Sequence, residues 1–222
     1  MEGPGPDQRY SRQVLLPGVG EEGQKKWGQA TVLLAGESTA FESALTALST
    51  SGVNKFYILS QVIFDPSSFV SQNPDLQIQA LDPSIERAPS ASLYLVVTEH
   101  SSFRRKMSRL ARRQNQAALY AWPLGSGFGV FYSKHQGGKC PCLECFETLN
   151  PKSFNNAEKA VQRVLGAAAA SEALKILLGE GSPLENKVGV TSMKSGFSFR
   201  HNVSPSYKCP VHLMDEGAVI TP

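Results

Sequence analysis

The chain has 222 residues, 41% of them hydrophobic, with a net charge of +3 and a sequence pI of about 8.7. A chain of this size can bury one sizeable core, so one domain with at most a small appendage is expected, and so mild a positive balance does not by itself call for nucleic acid or an acidic membrane. The opening MEGPGPDQRY lacks the charged start and apolar segment of a signal peptide, and no run of about eighteen apolar residues follows, so a cytoplasmic protein without a membrane span is expected.

In chain order, the apolar or β-branched runs Thr31–Leu34, Lys55–Leu59, Leu76–Leu81, Ser92–Val97 and Ala117–Ala121 read as strands. Helical patterns over 39–51 and 101–115 alternate with them, the rhythm of an α/β protein whose mostly parallel sheet carries helices on both faces. The first strand runs into VLLAGESTAFES, residues 32–43, where a phosphate-binding turn would place several glycines. Only Gly36 is present, and Glu37, Ser38, Thr39, Ala40 and Phe41 follow it. Helix 101–115 carries Phe103, Met107, Leu110 and Ala111 on one face and Arg104, Arg105, Arg109, Arg112 and Arg113 towards the other. Such a basic face could meet nucleic acid or an acidic partner; with no aromatic interleaving, a solvated face on a packed helix is the commoner reading.

Beyond residue 125, GSGFGVFYS reads as a strand, followed by a glycine and cysteine loop and a long helix at 156–178. That helix has asparagine at its start, apolar positions at Val161, Val164, Leu165, Ala168, Ala169, Ala173, Ile176 and Leu177, and Gly179 just past its end. Gly166 and Ala167–Ala170 allow another element to approach closely, a surface on which the family resemblance given below implies a dimer interface. Short strands at 187–193 and 196–202 and the tail MDEGAVITP close the chain. With no repeat or linker, the chain divides as one domain: an arm and helix at 1–30, a nucleotide-type half at 31–135, an appendage with the cysteines, long helix and short strands at 136–213, and a tail at 214–222.

The cysteines carry the clearest chemistry. Cys142 and Cys145 form CLEC, and Cys209 and His212 form CPVH, two knuckles that supply four soft or borderline ligands for tetrahedral zinc. Crowding of Cys140, Cys142 and Cys145 suits a metal site in a reducing compartment better than a disulfide framework. Cys140 could stand in for Cys142, which has the two-residue spacing knuckles favour. Unrelated buried cysteines are the alternative, and the prolines and polar residues around both pairs argue against it.

RYSRQVLLPGVGEEGQKKW, the strand and glycine after it, NPDLQIQALD, CLEC, VLGAAAASEALKILLGEGSPL and CPVH, in this order, resemble the ThiF/MoeB superfamily, which includes the ubiquitin-activating enzymes. The resemblance covers nearly the whole chain. It implies a Rossmann-like adenylation domain, usually dimeric, that activates the carboxy-terminal glycine of a ubiquitin-like or sulfur-carrier protein with MgATP and holds a structural zinc. His212 stands where the family has a fourth cysteine, an exchange zinc tolerates.

The same resemblance implies a lost nucleotide site. Gly36 remains, but Ser38, Thr39 and Phe41 place side chains where glycine leaves room for phosphate, with Phe41 the largest obstruction. Ser60, Val62, Ser68 and Ser71 occupy the positions of the family's charged and amide residues. The segment with a phosphate-directed lysine is missing after Asn73, and only Glu99, beside His100, conservatively replaces a metal-binding aspartate. ATP binding is therefore not expected. Arg12 matches the arginine of RYxRQ that reaches the partner subunit's ATP, although Arg9 and Arg12 could equally just solvate an amino-terminal helix. The expected role is a non-catalytic subunit or scaffold, as a homodimer or paired with an active paralogue. Two alternatives stay open: an active adenylyltransferase with a pocket rebuilt around Glu99, His100 and Cys140, and a binding module built on the basic helix.

Overall fold

The computed structural model describes residues 9–60, 65–135, 140–149, 157–179, 184–206 and 209–215. Strands β1 (Thr31–Gly36), β2 (Lys55–Leu59), β3 (Gln77–Ala80), β4 (Leu93–Val97), β5 (Ala118–Leu124), β6 (Gly127–Ser133), β7 (Lys187–Ser192) and β8 (Ser198–Asn202) form one eight-stranded sheet in the order β3-β2-β1-β4-β5-β6-β7-β8. Strands β1 to β5 pair in parallel, whereas β6, β7 and β8 are added antiparallel. Gly125, at φ +60, opens the tight β5–β6 turn, a conformation glycine adopts without strain.

Helices α1 (Gly20–Gln29), α2 (Thr39–Thr50), α3 (Ser67–Gln72), α4 (Ser101–Arg113), α5 (Leu143–Leu149), α6 (Lys159–Leu178) and α7 (Pro210–Asp215) cover the sheet. Strand side chains alternate between faces, so β1 sends Val32 and Leu34 into a core with Leu45, Leu48, Leu165 and Ala169, and Leu33 and Ala35 into a second core with Phe103, Met107 and Leu143. The central strands β1 and β4 are buried along almost their whole length, as parallel strands between two helical layers must be.

Helix α6 begins at Lys159 after Glu158, and the asparagines expected to start it lie outside the described residues. It ends as expected at Gly179, in the left-handed conformation with φ 84. Its small residues meet an element of the same chain: a Cβ on Gly166 would stand 2.1 Å from the Ala40 carbonyl oxygen and 2.9 Å from the Ala44 nitrogen of α2. This corrects the expectation that Gly166 serves a dimer interface, because the residue is already used within the chain. Among the described residues, no helix is long and apolar enough to cross a membrane.

Candidate functional site

Ligands of such sheets sit beyond the carboxyl ends of the strands where the chain order reverses, here between β1 and β4. Gly36 ends β1 at φ +147, and a Cβ on it would stand 1.9 Å from the Val97 carbonyl oxygen, so strand packing alone requires glycine there. Ser38 follows at φ 95 and ψ 172, a region that only glycine populates freely. The backbone thus keeps a glycine conformation while carrying a side chain. Across the mouth of the crevice Thr98 Oγ1 donates to Glu37 Oε1, and His100 Nε2 stands 3.8 Å from the same oxygen. Glu37 Oε2 is buried with no hydrogen-bond partner among the described residues. Behind them Arg104, 3% exposed, donates to the carbonyl oxygens of Thr98 and Glu99 at 3.0 and 3.1 Å and lies over the Trp122 ring. Burial pulls its guanidinium pKa below the ordinary value, against the opposing pull of Glu147.

A cavity of about 10 Å³ lies here, lined by Ser38, Ala40, Thr98, Glu99, Pro123 and Leu165 among others. That is room for about one water. Phe41, expected to obstruct the phosphate space, does not line this cavity; it is a core residue, 2% exposed, in the cluster with Leu45 and Leu165. The side chains that do line it include Ser38, Ala40 and Leu165, with Thr98 bonded to Glu37 beside them. Ser60 follows β2, half-buried, while Val62 and the side chains of Ser68 and Ser71 lie outside the described residues.

The second site is the cysteine cluster. Cys142 and Cys145 flank the start of α5, and Cys209 and His212 flank the start of α7, where Pro210 takes the first helical position. Three-residue spacing on a nascent helix puts each pair on one face. All four are buried, and their ligand atoms lie within 4.8 Å of one another. Cys142 Sγ stands 3.8 Å from Cys145 Sγ and 3.5 Å from Cys209 Sγ, and Cys145 Sγ stands 3.3 Å from His212 Nδ1. A tetrahedron with metal–sulfur bonds of 2.3 Å has edges of about 3.8 Å, so the cluster fits a tetrahedral ion with little adjustment. Hydrogen bonds from Cys142 and Cys209 favour the Cys145 thiolate and hold its pKa below the ordinary thiol value, while the contacts of Cys142 with Cys145 and Cys209 drive Cys142 up. A cation would take the thiolates in place of this shared proton arrangement. Cys140 is outside the cluster, which decides the choice the spacing left open.

Sequence reasoning missed what surrounds these ligands. Tyr120 Oη, Ser133 Oγ and both His135 ring nitrogens form a buried network, with Ser133 Oγ donating to the Pro141 carbonyl at 2.9 Å. Burial, with Arg112 and His212 nearby, lowers His135 to about 3. A lone histidine after a strand carries no pattern that would reveal this; Glu37, a charge in a strand-to-helix turn, does. The basic helix was misread as a free face: Arg109 grips Glu144 through two bonds at 2.6 and 3.1 Å, Arg104 and Arg105 pair with Glu147, and Arg112 bonds the Cys140 carbonyl. Three of its arginines thus hold the α5 knuckle helix, while Arg105 and Arg109 keep about half of their side-chain surface and Arg113 is exposed. Arg9 is tied to Asn73 and Asp75, whereas Arg12 is exposed. A separate groove of about 530 Å³ lies between α6 and β6–β8, lined by Phe128, Val130, Ala168, Leu184 and Phe199 among others.

No family model matches the chain. The heterocyst HesA protein of Trichormus variabilis is 23% identical over 92% of this chain and 88% of its own length. A sulfur carrier protein adenylyltransferase of Thermus thermophilus is 26% identical, over 91% of this chain and 89% of its own. Among solved structures, Escherichia coli MccB with MccA superimposes with a TM-score of 0.72 at 18% identity, over 94% of this chain and 75% of that one. Sequence similarity along nearly the whole chain thus relates the protein to HesA and to sulfur carrier adenylyltransferases, and its fold is that of MccB.

Proposed function

We propose that the protein is a non-catalytic member of the ThiF/MoeB superfamily: a single zinc-bearing domain that serves as subunit or scaffold in the activation of a ubiquitin-like or sulfur-carrier protein. The observation that carries this reading is the turn after β1, where Ser38, Ala40, Thr98 and Leu165 line a cavity of only about 10 Å³ and the Glu37 carboxylate is bonded to Thr98. A fixed carboxylate works against triphosphate binding, and Ser60 stands where the family resemblance places a charged contact. Preorganised cationic and N–H contacts are worth about 3 kcal/mol each in such a transition state, so losing several removes useful adenylation.

Cys142, Cys145, Cys209 and His212 would hold zinc, whose part is to clamp the two knuckles and so stabilise the fold. A protein partner is supported by the groove beside β8, lined by both apolar and polar side chains, and by Phe197 and Phe199, 74% and 59% exposed. A carrier as that partner is supported by the Thermus relative, named a sulfur carrier protein adenylyltransferase, and by MccB, solved with MccA. Titration calorimetry with MgATP, and ATP–pyrophosphate exchange with candidate carriers, test the reading on the protein alone. No binding heat at sub-millimolar nucleotide and no exchange are expected. Stoichiometric binding or exchange would instead establish an active adenylyltransferase with a rebuilt pocket.

A further inference from the structure

A histidine, unlike a thiolate, can present either of two nitrogens to an ion, and something must choose between them. His212 Nδ1 stands 3.3 Å from Cys145 Sγ, facing the thiols, while Nε2 lies 3.1 Å from the carbonyl oxygen of Cys140. The same carbonyl accepts a hydrogen bond from Arg112 Nη1 at 3.3 Å. Arg112 comes from α4 and is 8% exposed, so this is an inward-facing guanidinium and not a surface contact. The next carbonyl, of Pro141, is held by Ser133 Oγ at 2.9 Å. Both peptide groups ahead of CLEC are thus anchored to the body of the domain.

We propose that Arg112 and the Cys140 carbonyl are positioning groups for the metal centre: Arg112 pins the carbonyl, the carbonyl accepts the Nε2 proton, and His212 is thereby held in the tautomer that offers Nδ1 to zinc. The inference rests on the metal reading above. A hydrogen bond at the remote nitrogen fixes ring orientation and raises the basicity of the ligating one. The arrangement also explains how this chain accommodates a histidine in place of a fourth cysteine: the ring needs an outer partner, which a thiolate does not. It gives Cys140 a role through its main chain, with its thiol outside the donor set.

The test is a cycle on the full chain, with zinc affinity measured by chelator competition for wild type, Arg112→Met, His212→Cys and the double variant. Arg112→Met should weaken zinc about tenfold or more when His212 is the ligand, and by under about threefold when Cys stands there. Equal or larger losses in the His212→Cys background overturn the inference, since an arginine acting only by charge, or only by holding the fold, would act there too. Nitrogen-resolved NMR of zinc-loaded wild type should find His212 Nε2 protonated and Nδ1 bound, and it decides alone if Arg112→Met does not fold. Zinc on Nε2 with a proton on Nδ1 overturns the inference while leaving the metal reading intact; a wild type that binds no zinc overturns both.

Discussion

Ser38 holds a backbone conformation, φ 95 and ψ 172, that costs a residue with a Cβ about 1–3 kcal/mol. Ser38→Gly should therefore stabilise the protein by about 1 kcal/mol, the relief of strain being partly offset by the greater freedom of glycine in the unfolded chain. Denaturant titration checks it, and an unchanged or lower midpoint would show that the strain is absent. His135 makes a second prediction. Its imidazole is held to about 3 against an ordinary value of 6.5, with burial the main cause. Between those values the unfolded chain binds a proton that the folded chain refuses, so this group makes stability fall as pH drops from about 6.5 towards 3, by about 1.4 kcal/mol per unit. His135→Asn keeps a residue that tolerates the φ of 53 and removes the titration. The stability difference between wild type and variant should slope across that window and flatten above about pH 7. A flat difference throughout would mean that His135 titrates normally in the folded protein.

Helix α6 packs on α2 through Gly166, where a Cβ would meet backbone atoms and not a flexible side chain. Alanine favours a helix over glycine by about 1 kcal/mol, but this clash forces the helices apart, so Gly166→Ala should be net destabilising by about 1–3 kcal/mol. The denaturation midpoint should fall with the slope unchanged. A variant as stable as wild type would place α6 farther from α2. On the opposite face of the sheet, α4 and α5 are joined by arginine–carboxylate pairs. The spacing of the basic residues on α4 was legible in the sequence. Their direction was not, because helical periodicity assigns a face without saying which neighbour arrives on it, and Glu144 and Glu147 come from some forty positions further along the chain.

At the scale of the whole molecule, Arg12 is exposed on the amino-terminal segment, near the exposed Leu15 and Leu16 in sequence. An apolar and basic segment of that kind is suited to a protein contact. If the protein serves an active paralogue by lending Arg12 to its ATP site, Arg12→Ala should leave the complex intact and slow adenylation by the pair in the chemical step. Complex formation is measured by light scattering with size exclusion, and adenylation by single-turnover kinetics. An unchanged rate sinks the trans-arginine role and leaves a scaffold.

The sequence by itself determined the α/β class, the strands from Thr31 to Ala121 to within three residues, the long helix with its glycine stop, and the grouping of Cys142, Cys145, Cys209 and His212 as a cluster that could hold a metal ion, because periodicity, turn chemistry and knuckle spacing are local signals. Only the tertiary structure decided what surrounds the turn after β1, which residue faces which, and that the Cys140 thiol lies outside the cluster. Phe41 is expected from sequence to obstruct the phosphate space, and only the packing of the elements shows it in the core with Leu45 and Leu165. Glu37, Thr98 and His100 meet only because β1 and β4, distant in sequence, lie side by side. Arg112 and His212 converge on the Cys140 carbonyl from helices about a hundred residues apart. Such contacts depend on the packing of whole elements, and no local pattern encodes them.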